Sequence, residues 1–329
     1  MSFQTAPLTL DEIQAPLRER LEAVQAELGR IVASDFGLIT EVNAHLLRMH
    51  GKMFRPTILL LADEASAGGD PRSPTLAAVV ELIHLATLVH DDSVDHSVLR
   101  RGMPTVNAMF SHQVSVIMGD YLYSRAVIEL VRLNDLEPLR VLSRVTNEMT
   151  VGEMRQLMAH EPLEFSEDQY DLLIRAKTAS LLSGACEVGA LGAEPAERDS
   201  LRQFGEYLGM AFQIVDDLLD YTENEAVTGK PSGSDLREHK VTLPLIWALG
   251  QLDPAGRKQV ARLMQTPEPT DRQIAEVVTL VSETGGLDYA RDRAYRLGEL
   301  ADAELERLRP TPAREALRAT IPYVLERRR

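Results

Sequence analysis

The chain has 329 residues, of which 44% are hydrophobic and 26% are charged, and its formal net charge is −15. These values are typical of a soluble globular protein, and the acidic excess argues against a nucleic-acid surface, which needs a basic stripe. Because the net charge is negative, an anionic substrate would need local lysines, arginines or a metal ion. The single cysteine, Cys186, excludes an intrachain disulfide and a cysteine-rich metal site.

The N-terminus lacks the basic region and the long apolar core of a signal peptide. No apolar stretch reaches the roughly 20 residues that a membrane-spanning helix requires. We therefore expect a cytoplasmic protein without an integral membrane segment.

Helical periodicity runs almost from end to end of the chain, and alternating strand patterns bounded by turn signals are nearly absent. Thr9 with Glu12 predicts a capping box that begins the first helix, and Pro16 predicts a kink or a later start. Ser73, which is followed by a proline, predicts the N-cap of a helix whose apolar run ends in "HDDSVD" (90–95).

Ser166 with Gln169 predicts a second capping box, which begins a helix long enough to cross the whole domain. A further helix is expected near 196–222, because large apolar side chains recur there at steps of three and four. The stretch 221–240 is rich in Gly, Ser and charge, and loops of this length are often functional. "SETGG" and "RPTP" predict the breaks between the last helices. Because no linker divides the chain, we predict one all-α domain spanning 1–329.

Two acidic motifs with the same spacing, D-D-x-x-D, end two of these predicted helices. The first aspartate motif is 91–95, and "QIVDDLLDY" contains the second, 216–220. Acidic groups are unfavourable at a helix C-terminus, and like charges four residues apart repel by about 0.2–0.5 kcal/mol. Positions one and five lie about 40° apart and ~6 Å along a helix, so each motif aims two carboxylates at one place. Something cationic is therefore expected beside each motif.

Oxygen ligands without histidine or cysteine suit Mg²⁺, which retains waters and is often shared with substrate phosphates. An EF-hand calcium loop would need Gly at position 6 and Glu at position 12, whereas counting from Asp91 gives His96 and Gly102. The second motif fails the same test. A solvated charged surface explains one such motif as well as a metal site does, but two copies on apolar helical faces favour Mg²⁺.

Basic residues recur close to both motifs in the sequence. Each one alone is most often a solvated surface cation, but together they indicate phosphate groups held by lysine, arginine and Mg²⁺. The set comprises Lys52, Arg55, Arg100, Arg101, Lys177, Lys230 and Lys240. His84 lies about two turns before Asp91 on nearly the same helical face. Two interpretations of His84, as a core histidine and as a ligand-binding one, are equally open.

The chain resembles the trans-isoprenyl (polyprenyl) diphosphate synthases in the order and spacing of "GKMFRP", "ELIHLATLVHDDSVDHSVLRRGMPTVN", "AKTAS", "FQIVDDLLDY" and "GKPSGSDLREHKVTLPL". The resemblance extends over roughly residues 15 to 325. The chain departs from that family inside "GKMFRP", where Arg-Leu is commoner between Lys and Arg, and at His96, where an acidic residue is common.

This resemblance implies an isoprenoid-synthase-like helical bundle around a central cavity. It also implies a Mg²⁺-dependent head-to-tail (1′-4) condensation of isopentenyl diphosphate with an allylic diphosphate, carried out by a homodimer. The residues with implied catalytic roles are Asp91, Asp95, Asp216 and Lys177, of which the three aspartates hold the metal. Asp92, Asp217 and Asp220 are implied to support them.

The resemblance divides the remaining site residues between two diphosphates. Those implied to bind the allylic diphosphate are Arg100, Lys177, Thr178, Gln213, Lys230 and Lys240. Those implied to bind isopentenyl diphosphate are Lys52, Arg55, His84 and Arg101. No side chain stands out as a base, and in this family the departing diphosphate usually accepts the proton.

Product length depends on the wall beneath the first aspartate motif. Helix geometry favours Thr87, four residues before Asp91, and the resemblance adds Ala86. Both side chains are small, so we expect the growing tail to pass them toward Ile83 and the product to exceed geranylgeranyl diphosphate. If another helix closes the tunnel higher up, a short-chain farnesyl or geranylgeranyl diphosphate synthase results.

Three other functions compete with this one. A terpene cyclase would not need the second motif or a second diphosphate pocket, and a head-to-head synthase lacks the "GKxxRP" pattern. A non-catalytic helical partner of a two-component synthase would have lost catalytic aspartates, and none is lost here.

Overall fold

The computed structural model describes residues 7–49, 51–66, 68–157, 162–222 and 233–327. Seventeen α-helices form the described part of the chain: α1 Leu10–Gln14, α2 Arg18–Val32, α3 Gly37–Arg48, α4 Phe54–Ala65, α5 Ser73–Val94, α6 Val106–Met109, α7 His112–Arg132, α8 Leu136–Leu157, α9 Glu167–Ile174, α10 Ser180–Gly189, α11 Pro195–Thr222, α12 Ser234–Arg237, α13 Leu243–Gln251, α14 Pro254–Met264, α15 Asp271–Glu283, α16 Gly286–Leu305 and α17 Pro312–Leu325. Short 3₁₀ turns occupy Ala15–Leu17 and Pro162–Glu164, and one antiparallel hairpin pairs β1 Leu99–Arg100 with β2 Met103–Pro104. The all-α prediction is confirmed.

Local signals placed several of the predicted helix ends correctly. Thr9 and Glu12 form the expected capping box, in which the Thr9 N–H donates to Glu12 Oε2 at 2.8 Å. Pro16 lies in the 3₁₀ turn between α1 and α2, so it bends the helical path as a proline should. The capping box of Ser166 and Gln169 also forms and begins α9.

The start of α5 differs from the prediction by one residue. Ser73 is the first residue of the helix and not its cap, which is Arg72 without a capping side-chain hydrogen bond. The reason is the preceding turn, in which the Ser73 N–H donates to the Asp70 carbonyl at 3.0 Å and the Ser73 side chain is buried. Pro74 still stands in the first turn of the helix, where it costs no hydrogen bond.

Helix α5 also corrects the expectation that no segment has the length and composition of a membrane span. It has 22 residues, and an 18-residue window within it has a mean hydropathy of 1.3. However, 67% of that window is buried inside the protein, where α5 packs against α7, α2 and α4. Such a helix is the core of the bundle, apolar on nearly all sides because it is surrounded.

The long helix predicted after Ser166 is interrupted by a π-turn at Arg175–Ala179, between α9 and α10. Helix α8 approaches this turn closely at Gly152, where an added Cβ would lie 2.9 Å from Ala176 Cβ. π-turns are often found at functional sites because they re-aim the side chains they contain. This one contains Lys177 and Thr178.

Helix α11 crosses the molecule and packs against α10 and α16. Its close approach to the start of α10 needs a glycine, since a Cβ at Gly209 would lie 2.6 Å from Ala179 Cα. Most buried apolar side chains form one cluster around α4, α5, α10 and α11, and a smaller cluster lies among α12 to α15. Nothing in these contacts tests the single-domain boundaries, which stay a prediction.

Candidate active site

The two aspartate motifs border one cavity of about 2100 Å³, the first at the end of α5 and the second near the end of α11. Apart from Asp92, every site residue named from the sequence that lies in the described ranges lines this cavity. Lys230 lies outside the described residues. The tertiary structure thus gathers side chains that are far apart in the sequence around one space.

At the first motif, Asp91 lies 3.9 Å from Lys177 Nζ. Lys177 also donates to Glu153 Oε2 at 2.6 Å and to Gln156 Oε1 at 3.0 Å. Burial raises the pKa of the Asp91 carboxyl to about 6, with Lys177 opposing and Glu153 reinforcing the shift. A bound cation would reverse this penalty, because it favours the ionised carboxylate.

Asp92 points away from that cluster and binds Arg100. The Arg100 Nε and Nη2 atoms both lie 2.8 Å from Asp92 Oδ1, and the Asp92 side chain is only 6% exposed. The pair anchors the β-hairpin to the end of α5. Asp92 therefore positions Arg100, in keeping with a supporting role.

The hairpin explains the adjacent arginines of "RRG". Arg101 and Gly102 form its two-residue loop with φ of 52° and 75°, as a tight hairpin turn requires. Arg101 Nη1 donates to the Met49 carbonyl at 2.9 Å, so the two arginines reach different neighbours. Arg100 serves the first motif, and Arg101 lies beside the "GKMFRP" segment.

At the second motif the three aspartates have three different environments. Asp216 is 58% exposed and pairs with Arg327. Asp217 is buried and accepts hydrogen bonds from Tyr170 Oη at 2.6 Å and Gln213 Nε2 at 2.7 Å. Burial, and next the charge of Asp235, raise the pKa of Asp217 well above its ordinary value.

Asp220 ties the second motif to the segment that follows it. Its carboxylate accepts the backbone N–H groups of Ser234 and Asp235, each at 3.0 Å. Three residues beyond α12, Lys240 Nζ lies 2.6 Å from Glu238 Oε2 and 3.9 Å from Asp95 Oδ2. This segment therefore spans from the second motif to the first.

Thr178 and Gln213 are joined to the same network. Thr178 Oγ1 donates to Gln213 Oε1 at 2.8 Å, and Gln213 in turn donates to Asp217. The π-turn and α11 are thus linked by a chain of hydrogen bonds, which fixes the Gln213 amide beside the metal-candidate carboxylates.

A second basic region lies around His84. Burial lowers the pKa of His84 well below its ordinary value, and the charges of Arg55, Arg101 and Arg100 add to that effect. Burial also lowers the pKa of Arg55, and its buried Nε has no hydrogen-bond partner among the described residues. A neutral imidazole among arginines with an orphaned donor is the arrangement that an anionic group would complete. Lys52 is exposed at the edge of this region.

The cavity walls beneath the two motifs differ. Ile83, Ala86 and Thr87 line it beneath the first motif. One turn before Asp216, Phe212 stacks on Phe54 with 5.9 Å between ring centroids. Along α7 and α8 the cavity is lined by polar side chains, most of them exposed, namely Asp120, Tyr123, Ser143, Thr146, Asn147 and Thr150.

The carboxylate-only donor set fits a hard divalent cation. Among the described residues no three acidic, histidine or cysteine side chains already converge on one point. Instead each candidate ligand lies beside one cation: Asp91 beside Lys177, Asp95 beside Lys240 and Asp216 beside Arg327. A metal bound between the motifs would share these carboxylates with the neighbouring cations.

Sequence reasoning missed several side chains of the site. Glu153 and Gln156 hold Lys177, Tyr170 holds Asp217, and Arg327 pairs with Asp216. The only available signals were weak: a Glu and a Gln three residues apart on one helical face, and the run of three arginines that ends the chain.

Comparison with known proteins is consistent with this geometry. A profile of the polyprenyl synthetase family matches residues 37–281. An all-trans-nonaprenyl-diphosphate synthase (geranyl-diphosphate specific) from Rhodobacter capsulatus is 38% identical over 93% of this chain and 94% of its own length. The octaprenyl diphosphate synthase of Escherichia coli is 36% identical over 94% of this chain and 96% of its own.

Among solved structures, a polyprenyl synthase from Caulobacter crescentus, complexed with calcium and isoprenyl diphosphate, superposes with a TM-score of 0.93. It is 33% identical to this chain, and the match covers 99% of this chain and all of that one.

Proposed function

This chain belongs to the polyprenyl synthetase family and is a prenyltransferase, and on that premise we propose that it condenses isopentenyl diphosphate head to tail with an allylic diphosphate to make a long-chain all-trans polyprenyl diphosphate. The observation that carries the proposal is the single cavity bordered by both aspartate motifs, with a basic region on one side and small side chains beneath the first motif. The family resemblance seen in the sequence supplies the reaction.

Asp91, Asp95 and Asp216 are the proposed ligands of Mg²⁺. When bound, the metal neutralises the charge that develops on the departing diphosphate, which is otherwise a poor leaving group. The Caulobacter crescentus relative was solved with calcium, which supports the use of a divalent cation. Mg²⁺ is proposed because carboxylates shared with substrate phosphates are its usual ligands.

The allylic diphosphate is held by Lys177 and Arg100 together with Thr178, Gln213, Lys240 and Lys230. Lys177 is oriented by Glu153 and Gln156, and Arg100 by Asp92, so both cations are fixed before substrate binds. The C1–O bond of the allylic substrate breaks, and its electron pair leaves with the diphosphate. Preorganised cations stabilise that charge without reorganising during the step.

Isopentenyl diphosphate is held by Lys52, Arg55, His84 and Arg101. Its diphosphate would satisfy the orphaned Arg55 Nε, while the neutral His84 can donate a hydrogen bond from one ring nitrogen. The double bond of this substrate attacks the allylic C1, and a proton is then lost from C2 to the departed diphosphate. The product is longer by one isoprene unit.

Long products are supported by the wall beneath the first motif. Ala86 and Thr87 line the cavity and leave room for a tail to pass toward Ile83. The short-chain alternative would require a bulky group at this level.

One experiment tests the proposed function directly. Purified protein is incubated with Mg²⁺, labelled isopentenyl diphosphate and farnesyl diphosphate, and the dephosphorylated products are sized by chromatography. Products longer than C20 are expected. Products that stop at C15 or C20 would refute the long-chain assignment, and undiminished turnover in EDTA would refute the metal.

We also propose a homodimer that forms through one face of α7. Ile117 and Val131 are 64% and 61% exposed on this helix, and Ile128 is 40% exposed. Exposed apolar side chains that share one helix mark association surfaces. Light scattering coupled to size exclusion should give twice the chain mass, and Ile117→Lys with Val131→Lys should give the monomer.

The cytoplasmic location expected from the sequence stays a prediction, to be tested by cell fractionation.

A further inference from the structure

Arg327 lies two residues beyond the end of α17, yet its side chain is only 9% exposed. Its guanidinium pairs with Asp216 and lies 3.8 Å above the centre of the Phe212 ring. Its Nε is buried and has no hydrogen-bond partner among the described residues. A basic side chain close to the chain end is thus held inside the cavity wall.

An aromatic stack fixes this position. Phe212 stacks on Phe54, and Phe54 lies 5.8 Å from Tyr323 of α17, measured between ring centroids. The end of α17 is therefore held against α4 and α11, and the Arg327 guanidinium rests on the outer face of the stack. Because its stem and its π-contact do not depend on Asp216, the guanidinium keeps its place when the carboxylate is taken by another partner.

We propose that Arg327 is a placeholder cation that pairs with Asp216 before the metal binds and then serves the substrate diphosphate. The inference rests on the proposed function, since it takes Asp216 as a metal ligand. If Asp216 held a metal, the Arg327 guanidinium would stay on the Phe212 ring but would lose the carboxylate as its partner. The released donors, together with the orphaned Nε, then face the cavity, where a diphosphate offers the bidentate acceptor that arginine prefers.

This exchange predicts effects of opposite sign. Without diphosphate, Arg327 competes with the metal for Asp216, so its removal tightens metal binding. With diphosphate, Arg327 adds a donor, so its removal weakens diphosphate retention. A residue with only a structural role would weaken both, or neither.

The first measurement is Mn²⁺ binding, followed by electron paramagnetic resonance, to metal-free full-length protein without diphosphate. We expect Arg327→Gln to bind Mn²⁺ about two- to fivefold more tightly than wild type, a modest gain because Asp216 is 58% exposed and solvent screens the pair. The matched control is Arg309→Gln, which removes a 75%-exposed arginine paired with Glu197 outside the cavity and should leave the affinity unchanged.

The second measurement is the affinity for inorganic diphosphate, by calorimetry at a fixed saturating Mn²⁺ concentration. Arg327→Gln should bind it about tenfold or more weakly, as expected for loss of a charge-assisted hydrogen bond. Arg327→Lys keeps the positive charge but not the planar guanidinium, so its diphosphate affinity should lie between those of wild type and Arg327→Gln. Equal or weaker Mn²⁺ binding by a folded Arg327→Gln, or unchanged diphosphate affinity, overturns the proposal.

The proposed function fails by a different result. If Asp216→Asn binds Mn²⁺ as wild type does, Asp216 is not a metal ligand, and the metal assignment and the placeholder role are both overturned. If Asp216→Asn loses Mn²⁺ but Arg327→Gln shows no change, only the role of Arg327 is overturned. Circular dichroism and thermal melts confirm that each variant is folded before it is compared.

Discussion

The two aspartate motifs share one spacing, but the protein around them differs in the residues that neutralise them and in the wall beneath. In the first motif the middle carboxylate, Asp92, is paired with the charged Arg100. In the second, Asp217 is held by neutral donors, Tyr170 and Gln213. One turn beneath the first motif stand small side chains, whereas Phe212 stands beneath the second.

This difference separates two tasks that the repeated pattern conceals. Both motifs present carboxylates to the same cavity, so both can serve one metal-bound diphosphate. The side of α5 presents small side chains to the cavity, whereas the side of α11 presents the aromatic stack, so we expect the hydrocarbon to follow α5. The two motifs therefore contribute similar negative charge to the site, but the cavity walls beside them have different shapes.

The largest expected effect would come from removing one of the carboxylates with which the two motifs hold the metal. Asp91→Ala or Asp216→Ala should each lower kcat by at least about 10²-fold, because each removes a charge that holds the metal in the transition state. Steady-state assays with matched folded protein measure this loss. Asp199→Ala, at an exposed position of α11, is the control and should retain activity. Near-normal turnover of either motif variant would separate that motif from the chemistry.

The next largest effect should distinguish the isopentenyl diphosphate site from the allylic diphosphate site at the two motifs. Arg55→Ala should raise the KM for isopentenyl diphosphate by about 10- to 100-fold, as expected for one lost charge-assisted contact of ~1.5–3 kcal/mol. The KM for the allylic diphosphate should change far less. Comparable damage to both constants would mean that the basic region around His84 is not a separate subsite.

The contrast in shape gives a test on product length. Ala86→Phe or Thr87→Phe should shorten the product, because a ring inserted into the wall occupies the space of the tail and packed surroundings relax only partly. Phe212→Ala should leave the chain-length distribution unchanged, whatever it does to the rate. Ala275→Phe, on the exposed side of α15, controls for the added ring. If both wall variants gave wild-type products in the chromatographic assay, the wall would not be on α5.

The smallest expected effect concerns protons at the first motif. Burial raises the pKa of Asp91 from 3.8 to about 6, so the metal-free native state binds this proton more tightly than the unfolded chain does. The contribution of Asp91 to the free energy of unfolding is therefore most favourable below about pH 4 and falls by roughly 1–3 kcal/mol as the pH rises to about 6. Urea titrations in EDTA should show this slope for wild type and lose it in Asp91→Asn. An unchanged slope in the variant would assign it to another group.

Residue types and their spacing were enough to predict the helices and the acidic chemistry. Capping boxes at Thr9 and Ser166 act within one helical turn, so local residue types suffice to predict them. The D-D-x-x-D spacing likewise acts within one helix, since residues four apart share a face. Periodicity predicted the all-α class for the same reason.

How these pieces meet depends on packing that local patterns do not reveal. Ser73 lost its capping role to a turn whose partner, Asp70, no helical pattern indicates. Lys177 reaches Asp91 from a π-turn that α8 contacts at Gly152, and Arg327 reaches Asp216 across 111 positions of sequence. Burial and neighbouring charges, which set the protonation of Asp91 and His84, arise from contacts between distant helices. Local sequence patterns do not predict these contacts, because the free energy of each contact depends on which helices pack against each other.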